Sequence, residues 1–177
     1  MKRKAREMER RVAVQALAGV MVAGPIAAQP ASGLRFFGPA EDALLNRLTE
    51  LILPADSHSP GAREAQVSRF IDLMVSHSDP QVRDLWRTGL RAVDGEASRR
   101  FSQTFLASSP AQQDQILRAM ASSEKRPETE LERFFVRLKS MTIDGYYTSA
   151  IGIHRDLRYQ GNRALDEFPG CRHPEHR

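Results

Sequence analysis

The strongest structural signal in the sequence is an apolar repeat of helical period that begins after Pro127. Leu131, Phe134, Phe135 and Leu138 recur every three or four residues, a spacing that places side chains on one face of an α-helix. Comparable repeats occupy four other windows, at residues 39–52, 62–76, 80–105 and 110–120. The sequence therefore predicts an all-α fold, a single compact helical domain of about five helices with an irregular C-terminal segment.

The composition supports one helical domain. A chain of 177 residues with 41% apolar content can bury a core, and the scarcity of alternating β-branched runs argues against a β-sandwich. The single tryptophan, Trp86, is predicted to be a core anchor. Gly89 and Gly95 interrupt the longest helix, which indicates a close helix contact or a bend there.

The basic residues at the N-terminus predict an export signal at residues 1–28. This segment holds six basic and two acidic residues, which leaves 20 of each sign in the rest of the chain. Behind Arg10 and Arg11 comes an uncharged run of modest hydrophobicity that is short for a bilayer span of ~20 residues. This pattern favours a twin-arginine leader, with general secretion or an uncleaved anchor as alternatives. Because the remaining residues have no net charge, no nucleic-acid partner is predicted.

A linker at residues 29–38 follows, and residues 39–177 form the predicted domain. In the turn after the first helix, Asp56, Ser57 and His58 are adjacent. A catalytic triad is disfavoured because neighbouring side chains point apart, so a plain turn is predicted.

The chain lacks the motifs of the usual cofactor sites. It has no GxGxxG for a dinucleotide and no GxxxxGK[ST], GxSxG or HExxH motif. One cysteine cannot hold an iron–sulfur cluster or form the CxxCH of a covalent haem. No catalytic residue and no cofactor are therefore predicted in this chain.

The three tyrosines all fall within residues 142–173, beside four glycines. Tyrosine combines an apolar ring with a polar tip and is enriched at protein interfaces. The stretch is therefore predicted to be a docking surface, with Tyr146, Tyr147 and Tyr159 contacting a partner. Alternatively, Tyr146 continues the apolar stripe into the core, which makes Tyr147 the better interface residue.

Cys171 admits three interpretations. In an exported chain a lone cysteine can form an intersubunit disulfide, which is favoured here, or remain a buried free thiol. A third alternative is a small exported metal-binding protein that uses Cys171, His173 and His176, with His154 nearby.

Three segments resemble the gluconate 2-dehydrogenase subunit 3 family: Gly145-Tyr-Tyr-Thr-Ser149, Asp156-Leu-Arg-Tyr-Gln-Gly161 and Gly170-Cys-Arg-His173. The resemblance extends back to the turn around Pro60. It implies a non-catalytic accessory subunit that helps a large FAD-dependent sugar or polyol dehydrogenase subunit to fold and to pass through the twin-arginine export machinery.

The resemblance also implies where the cofactors lie. FAD and an iron–sulfur cluster are expected in the large subunit, and haem c in a membrane-anchored multihaem cytochrome subunit. The complex is accordingly expected to be periplasmic and membrane-associated.

Overall fold

The computed structural model describes residues 33–161. Over this range the prediction of an all-α fold is confirmed, because the described residues form helices and no strand. The elements, in chain order, are α1 (Pro39–Ile52), α2 (Val67–Ser76), α3 (Pro80–Phe101), α4 (Pro110–Ala121), α5 (Glu130–Tyr147) and a short π-helical turn (Gly152–Asp156). None of the described helices combines the length and apolar character needed to cross a bilayer.

Local sequence signals fix most helix starts. Proline occupies the first turn of α1, α3 and α4. A backbone N–H has no acceptor within the helix at this position, so proline loses no hydrogen bond there. At the start of α5, Thr129 and Glu132 form a capping box. The backbone N–H groups of Thr129 and Glu128 donate to Glu132 and, with the Ser123 side chain, lower the pKa of this carboxyl to about 2.

Two boundaries differ from the sequence prediction. Helix α2 begins at Val67 rather than at residue 62, because Gln66 adopts a left-handed φ of 55° and the Arg63 N–H donates to Glu50 at the end of α1, at 2.9 Å. Helix α3 ends at Phe101 rather than at residue 105. Ser102 has a φ of 58° there, so the chain leaves the helix axis.

Helix α5 lies at the centre of the domain and packs against each of the other four helices. In the core, Trp86 meets Phe134 edge-to-face at 5.5 Å and Phe37 at 6.2 Å between ring centroids. Trp86 is 1% exposed, so its prediction as a core anchor is confirmed. Other fully buried side chains include Leu45, Leu48, Ile71, Leu90, Phe105, Ile116, Met120 and Leu138.

The two glycines of α3 have different environments. A Cβ built on Gly89 would lie 2.1 Å from Cδ2 of Phe134, so α3 and α5 approach each other more closely than any larger residue permits. A Cβ on Gly95 would meet nothing within 4 Å. The predicted close contact is therefore present at Gly89 and absent at Gly95.

Candidate partner-binding site

The structure places Tyr146 in the core rather than on the surface. Its side chain is 2% exposed, and its hydroxyl donates to the carbonyl oxygen of Pro60 at 2.7 Å. A buried ring whose polar tip is already paired is not available to another chain. This corrects the assignment of Tyr146 as an interface residue and agrees with the alternative that it continues the apolar stripe of α5.

Tyr147 faces outward from the end of α5. It is 37% exposed, and its ring meets Tyr146 edge-to-face at 5.1 Å with an interplanar angle of 88°. Partial burial raises the pKa of its hydroxyl, and the negative charge of Asp156 beside it raises this pKa further. The ring of Tyr147 thus packs against a core residue, and its hydroxyl lies within the electrostatic influence of a carboxylate.

The π-helical turn folds the chain back onto the end of α5. A Cβ on Gly152 would lie 2.2 Å from the carbonyl oxygen of Tyr146 and 2.9 Å from Cα of Tyr147, so only glycine permits this approach. The Gly152 N–H donates to Ser149 Oγ at 3.0 Å. Further along, the Tyr159 N–H donates to the Ile153 carbonyl at 3.0 Å. Gly152 therefore sets the direction of the segment that carries Asp156 and Tyr159.

We define the C-terminal surface as Ile143, Tyr147, Leu157 and Tyr159. Their exposures are 37%, 37%, 59% and 51% respectively, high for large apolar or aromatic side chains. Ile143 and Tyr147 lie one turn apart on α5, and the turn after Gly152 brings Asp156, the residue before Leu157, against Tyr147. The sequence reasoning found both tyrosines but missed Ile143 and Leu157. Ile143 could have been found because it stands outside the apolar stripe.

Asp56, Ser57 and His58 lie in an exposed turn, as the sequence predicts. The Asp56 carboxylate accepts the backbone N–H groups of His58 and Ser59 at 2.7 and 2.8 Å, and the Ser59 and His58 amides lower its pKa. Ser57 Oγ lies 3.1 Å from His58 Nδ1, and Asp56 Oδ1 lies 4.0 Å from the same nitrogen. A triad needs the acid and the nucleophile on opposite ring nitrogens, so these three residues cannot relay a proton.

A second surface feature is an open groove of about 610 Å³ along residues 121–128, between α4 and α5. Its Glu124 pairs with Lys139 at 2.8 Å. The groove is formed mainly by this polar loop and offers no apolar anchor comparable to Tyr147.

The metal-site alternative is not tested by the described residues. His154 is exposed in the π-helical turn, and no group of three potential metal ligands occurs among residues 33–161. Cys171, His173 and His176 lie outside the described residues, so their metal and disulfide hypotheses remain predictions.

The leader arginines, Arg10 and Arg11, also lie outside the described residues. The export signal therefore remains a prediction from sequence.

The fold and the site define a class of protein: a small helical domain whose central helix ends in an exposed aromatic surface. The chain belongs to the family described as Gluconate 2-dehydrogenase subunit 3, which it matches over residues 39–163. The match begins at the first residue of α1 and includes all five helices and the C-terminal surface. Comparison with curated proteins and with solved structures gave no match.

Family membership makes this chain an accessory subunit of the gluconate 2-dehydrogenase type. It also implies that the chain associates with other subunits of a dehydrogenase complex.

Proposed function

We propose that this chain is the non-catalytic small subunit of a periplasmic, FAD-dependent gluconate or sugar dehydrogenase. In this role it binds the large flavoprotein subunit, assists its folding and carries it through the twin-arginine pathway on the leader at residues 1–28. FAD and an iron–sulfur cluster belong to the large subunit, and haem c belongs to a membrane-anchored cytochrome subunit that keeps the complex at the membrane.

The observation that carries the proposal is the C-terminal surface. Tyr147 offers a ring that is exposed at 37% yet already packed edge-to-face against Tyr146, with the charge of Asp156 near its hydroxyl. Because its rotamer freedom is reduced before binding, little side-chain entropy remains to be lost in a complex. Fixed aromatic side chains at the centre of an interface are the ones that contribute most to binding.

Tyr147→Ala tests the surface directly. Loss of a central interface aromatic costs ~2 kcal/mol, which corresponds to about a 30-fold weaker complex. The affinity is measured with the flavoprotein subunit co-expressed and purified with this chain. Leu106→Ala is the matched control, because Leu106 is 45% exposed in the loop between α3 and α4. Equal binding by both variants and the wild type would place the interface elsewhere.

The carrier role is tested by changing Arg10 and Arg11 together to lysine. The charge is kept while the arginine pair is removed, so a twin-arginine leader loses function and the general charge of the segment does not change. We expect both this chain and the flavoprotein subunit to remain in the cytoplasm on fractionation. Export of the flavoprotein at the wild-type level would reject the carrier role.

The proposed disulfide has its own test. If Cys171 forms a bond to the large subunit, the wild-type complex gives a heavier band on a non-reducing gel, and Cys171→Ser removes it while the chain stays folded. Identical lanes for the two proteins would reject the intersubunit disulfide and leave the rest of the proposal intact.

A further inference from the structure

The turn that follows α5 carries positively charged side chains among the apolar ones. Arg155 and Arg158 are exposed and lie on either side of Leu157 in the sequence, a residue of the C-terminal surface. Within residues 33–161 neither guanidinium group has a hydrogen bond or an ion pair. Two unpaired cations therefore lie beside the side chains that are proposed to meet the flavoprotein subunit.

The backbone of this turn is fixed by its own hydrogen bonds. The Leu157 N–H donates to the Gly152 carbonyl at 2.9 Å, and the Tyr159 N–H donates to the Ile153 carbonyl at 3.0 Å. Arg158, between the two donors, has a left-handed φ of 49°. The arginines are thus presented from a backbone that is ordered before binding, which reduces the entropy lost in a complex.

The carboxylates at this end of the domain leave both arginines unpaired. The charge of Asp156 acts on the Tyr147 hydroxyl, and Asp144 is exposed on α5 without an ion pair to any of residues 33–161. On α4, by contrast, Arg118 pairs with Asp114 at 2.7 Å. The charges of the turn therefore remain available to a partner.

The guanidinium group indicates the chemistry of that partner. Arginine presents a planar set of N–H donors that matches a carboxylate with two parallel hydrogen bonds, and it is enriched at protein interfaces. Phosphate groups suit the same donors. However, residues 33–161 hold as many acidic as basic side chains, so this region has no net positive charge to attract a polyanion. A protein surface with carboxylates around an apolar patch fits these observations best.

We propose that Arg155 and Arg158 pair with carboxylates of the flavoprotein subunit at the rim of the C-terminal surface. The inference rests on the proposed function, because it takes the C-terminal surface as the contact with that subunit. Charges at the rim of an interface act mainly on the association rate, whereas central contacts act mainly on the dissociation rate. The arginines therefore set how fast the complex forms, and Tyr147 sets how long it lasts.

Subunit exchange in the purified complex measures both rates. A complex that carries a fluorescently labelled copy of this chain is mixed with excess unlabelled chain under reducing conditions, so that a disulfide at Cys171 cannot block release. The rate of label loss gives the dissociation rate. The equilibrium distribution between labelled wild type and unlabelled variant gives the ratio of affinities, and the two results together give the association rate. The exchange is repeated at increasing NaCl concentration, because salt screens exposed charge pairs.

Arg155→Glu is the principal variant, because it reverses the charge of an exposed side chain that has no contact to lose within residues 33–161. We expect about a tenfold slower association at low salt, an unchanged dissociation rate, and a difference from wild type that shrinks as NaCl rises. Arg158→Gly should act in the same direction with a smaller effect. Glycine accepts the positive φ of this position, so the variant removes a charge without straining the turn.

Arg126→Glu is the matched control, because it makes the same charge reversal at an exposed position before α5. The 18 residues of α5 separate this position from Tyr147 by about 27 Å along the helix axis. We expect association at the wild-type rate. A decrease equal to that of Arg155→Glu would reveal a general charge effect and overturn the local pairing. Asp144→Asn should associate at least as fast as wild type, and slower association would indicate a basic partner surface and also overturn it.

Tyr147→Ala separates this inference from the proposed function. If Tyr147→Ala weakens the complex while both arginine variants behave as wild type at low salt, the carboxylate pairing is refuted and docking at the C-terminal surface stands. If Arg155→Glu slows association while Tyr147→Ala binds as wild type, the arginines contact the partner and the aromatic centre of the proposed surface fails. Wild-type behaviour of all three variants would refute both.

Discussion

The approach of α3 to α5 at Gly89 gives the sharpest test of the fold. A Cβ at this position would lie 2.1, 2.3 and 2.6 Å from Cδ2, Cγ and Cε2 of Phe134. Carbon atoms pack at ~3.5–4.0 Å, so Gly89→Ala requires a displacement of about 1.5 Å. The Phe134 ring has no free space to move into, because it is 2% exposed and packs against Trp86 at 5.5 Å. The two helices must therefore separate.

The expected change in the free energy of unfolding for Gly89→Ala is the sum of two opposing effects. Overpacking of a filled core costs about 1–3 kcal/mol, and we use the upper end because the clash involves three atoms of a rigid ring. Alanine recovers about 1 kcal/mol of helix propensity relative to glycine. The net expectation for Gly89→Ala is a loss of about 2 kcal/mol in the free energy of unfolding. For a domain of this size that loss lowers Tm by about 6 °C.

Gly95→Ala is the matched control, because it makes the same chemical change in the same helix. With nothing within 4 Å of its Cβ, only the propensity gain remains, and we expect an increase in stability of up to about 1 kcal/mol. Urea and thermal unfolding followed by far-UV circular dichroism measure both variants. Shifts of the same sign and size would refute the close packing of α3 on α5 at Gly89.

A double-mutant cycle localises the effect to the pair. Phe134→Ala removes the ring atoms that the new methyl group would strike, so its cost and that of Gly89→Ala should not add. We expect a coupling of at least about 0.5 kcal/mol, the lower limit for residues in contact. Strict additivity would mean that the clash is relieved elsewhere in the helix pair.

Three further predictions concern α5 and the turn after it. Because the folded pKa of Glu132 is about 2 against an ordinary 4.5, its stabilisation is present above pH 4.5 and is lost as pH falls towards 2. Amide exchange at the start of α5 should show this loss, and Glu132→Gln should make it independent of pH in that range. Asp156→Asn should lower the pKa of Tyr147, measured as phenolate absorbance, since it removes a neighbouring negative charge; an unchanged titration would contradict their contact. Gly152→Ala should displace the turn from Tyr146. The free energy of flavoprotein binding should then fall by more than the free energy of unfolding. Binding at the wild-type affinity would show that the turn does not shape the interface.

The central position of α5 links stability to the proposed binding role. The same helix packs against the four others and ends at Tyr147. Ile143 and Tyr147 of the C-terminal surface are therefore carried on the helix that contacts each of the other four, where local opening is infrequent. A partner that docks there would meet a preformed surface rather than one that must be ordered on binding.

The sequence by itself determined the helical class, the positions of most helices and the family. Local sequence patterns specify these properties. They are apolar residues at helical spacing, prolines in the first turns of α1, α3 and α4, and short segments such as Gly145-Tyr-Tyr-Thr-Ser149. Periodicity also placed Trp86 in the core, because a large apolar side chain within the stripe of a helix has one favourable direction.

Only the tertiary structure decided between the adjacent tyrosines. Both rings suit a core and an interface equally, and Tyr146 can be buried because the Pro60 carbonyl, 86 residues away in sequence, accepts the hydrogen bond of its hydroxyl. The same holds for Asp72, whose three amide donors come from another part of the chain. The tertiary structure also distinguishes Gly89 from Gly95. The two residues are chemically identical, but the Phe134 ring lies against the α-carbon of Gly89 and no atom lies within 4 Å of a Cβ built on Gly95. Local patterns specify which face of a helix is buried, but the groups that meet across long sequence separations are fixed only when the helices pack.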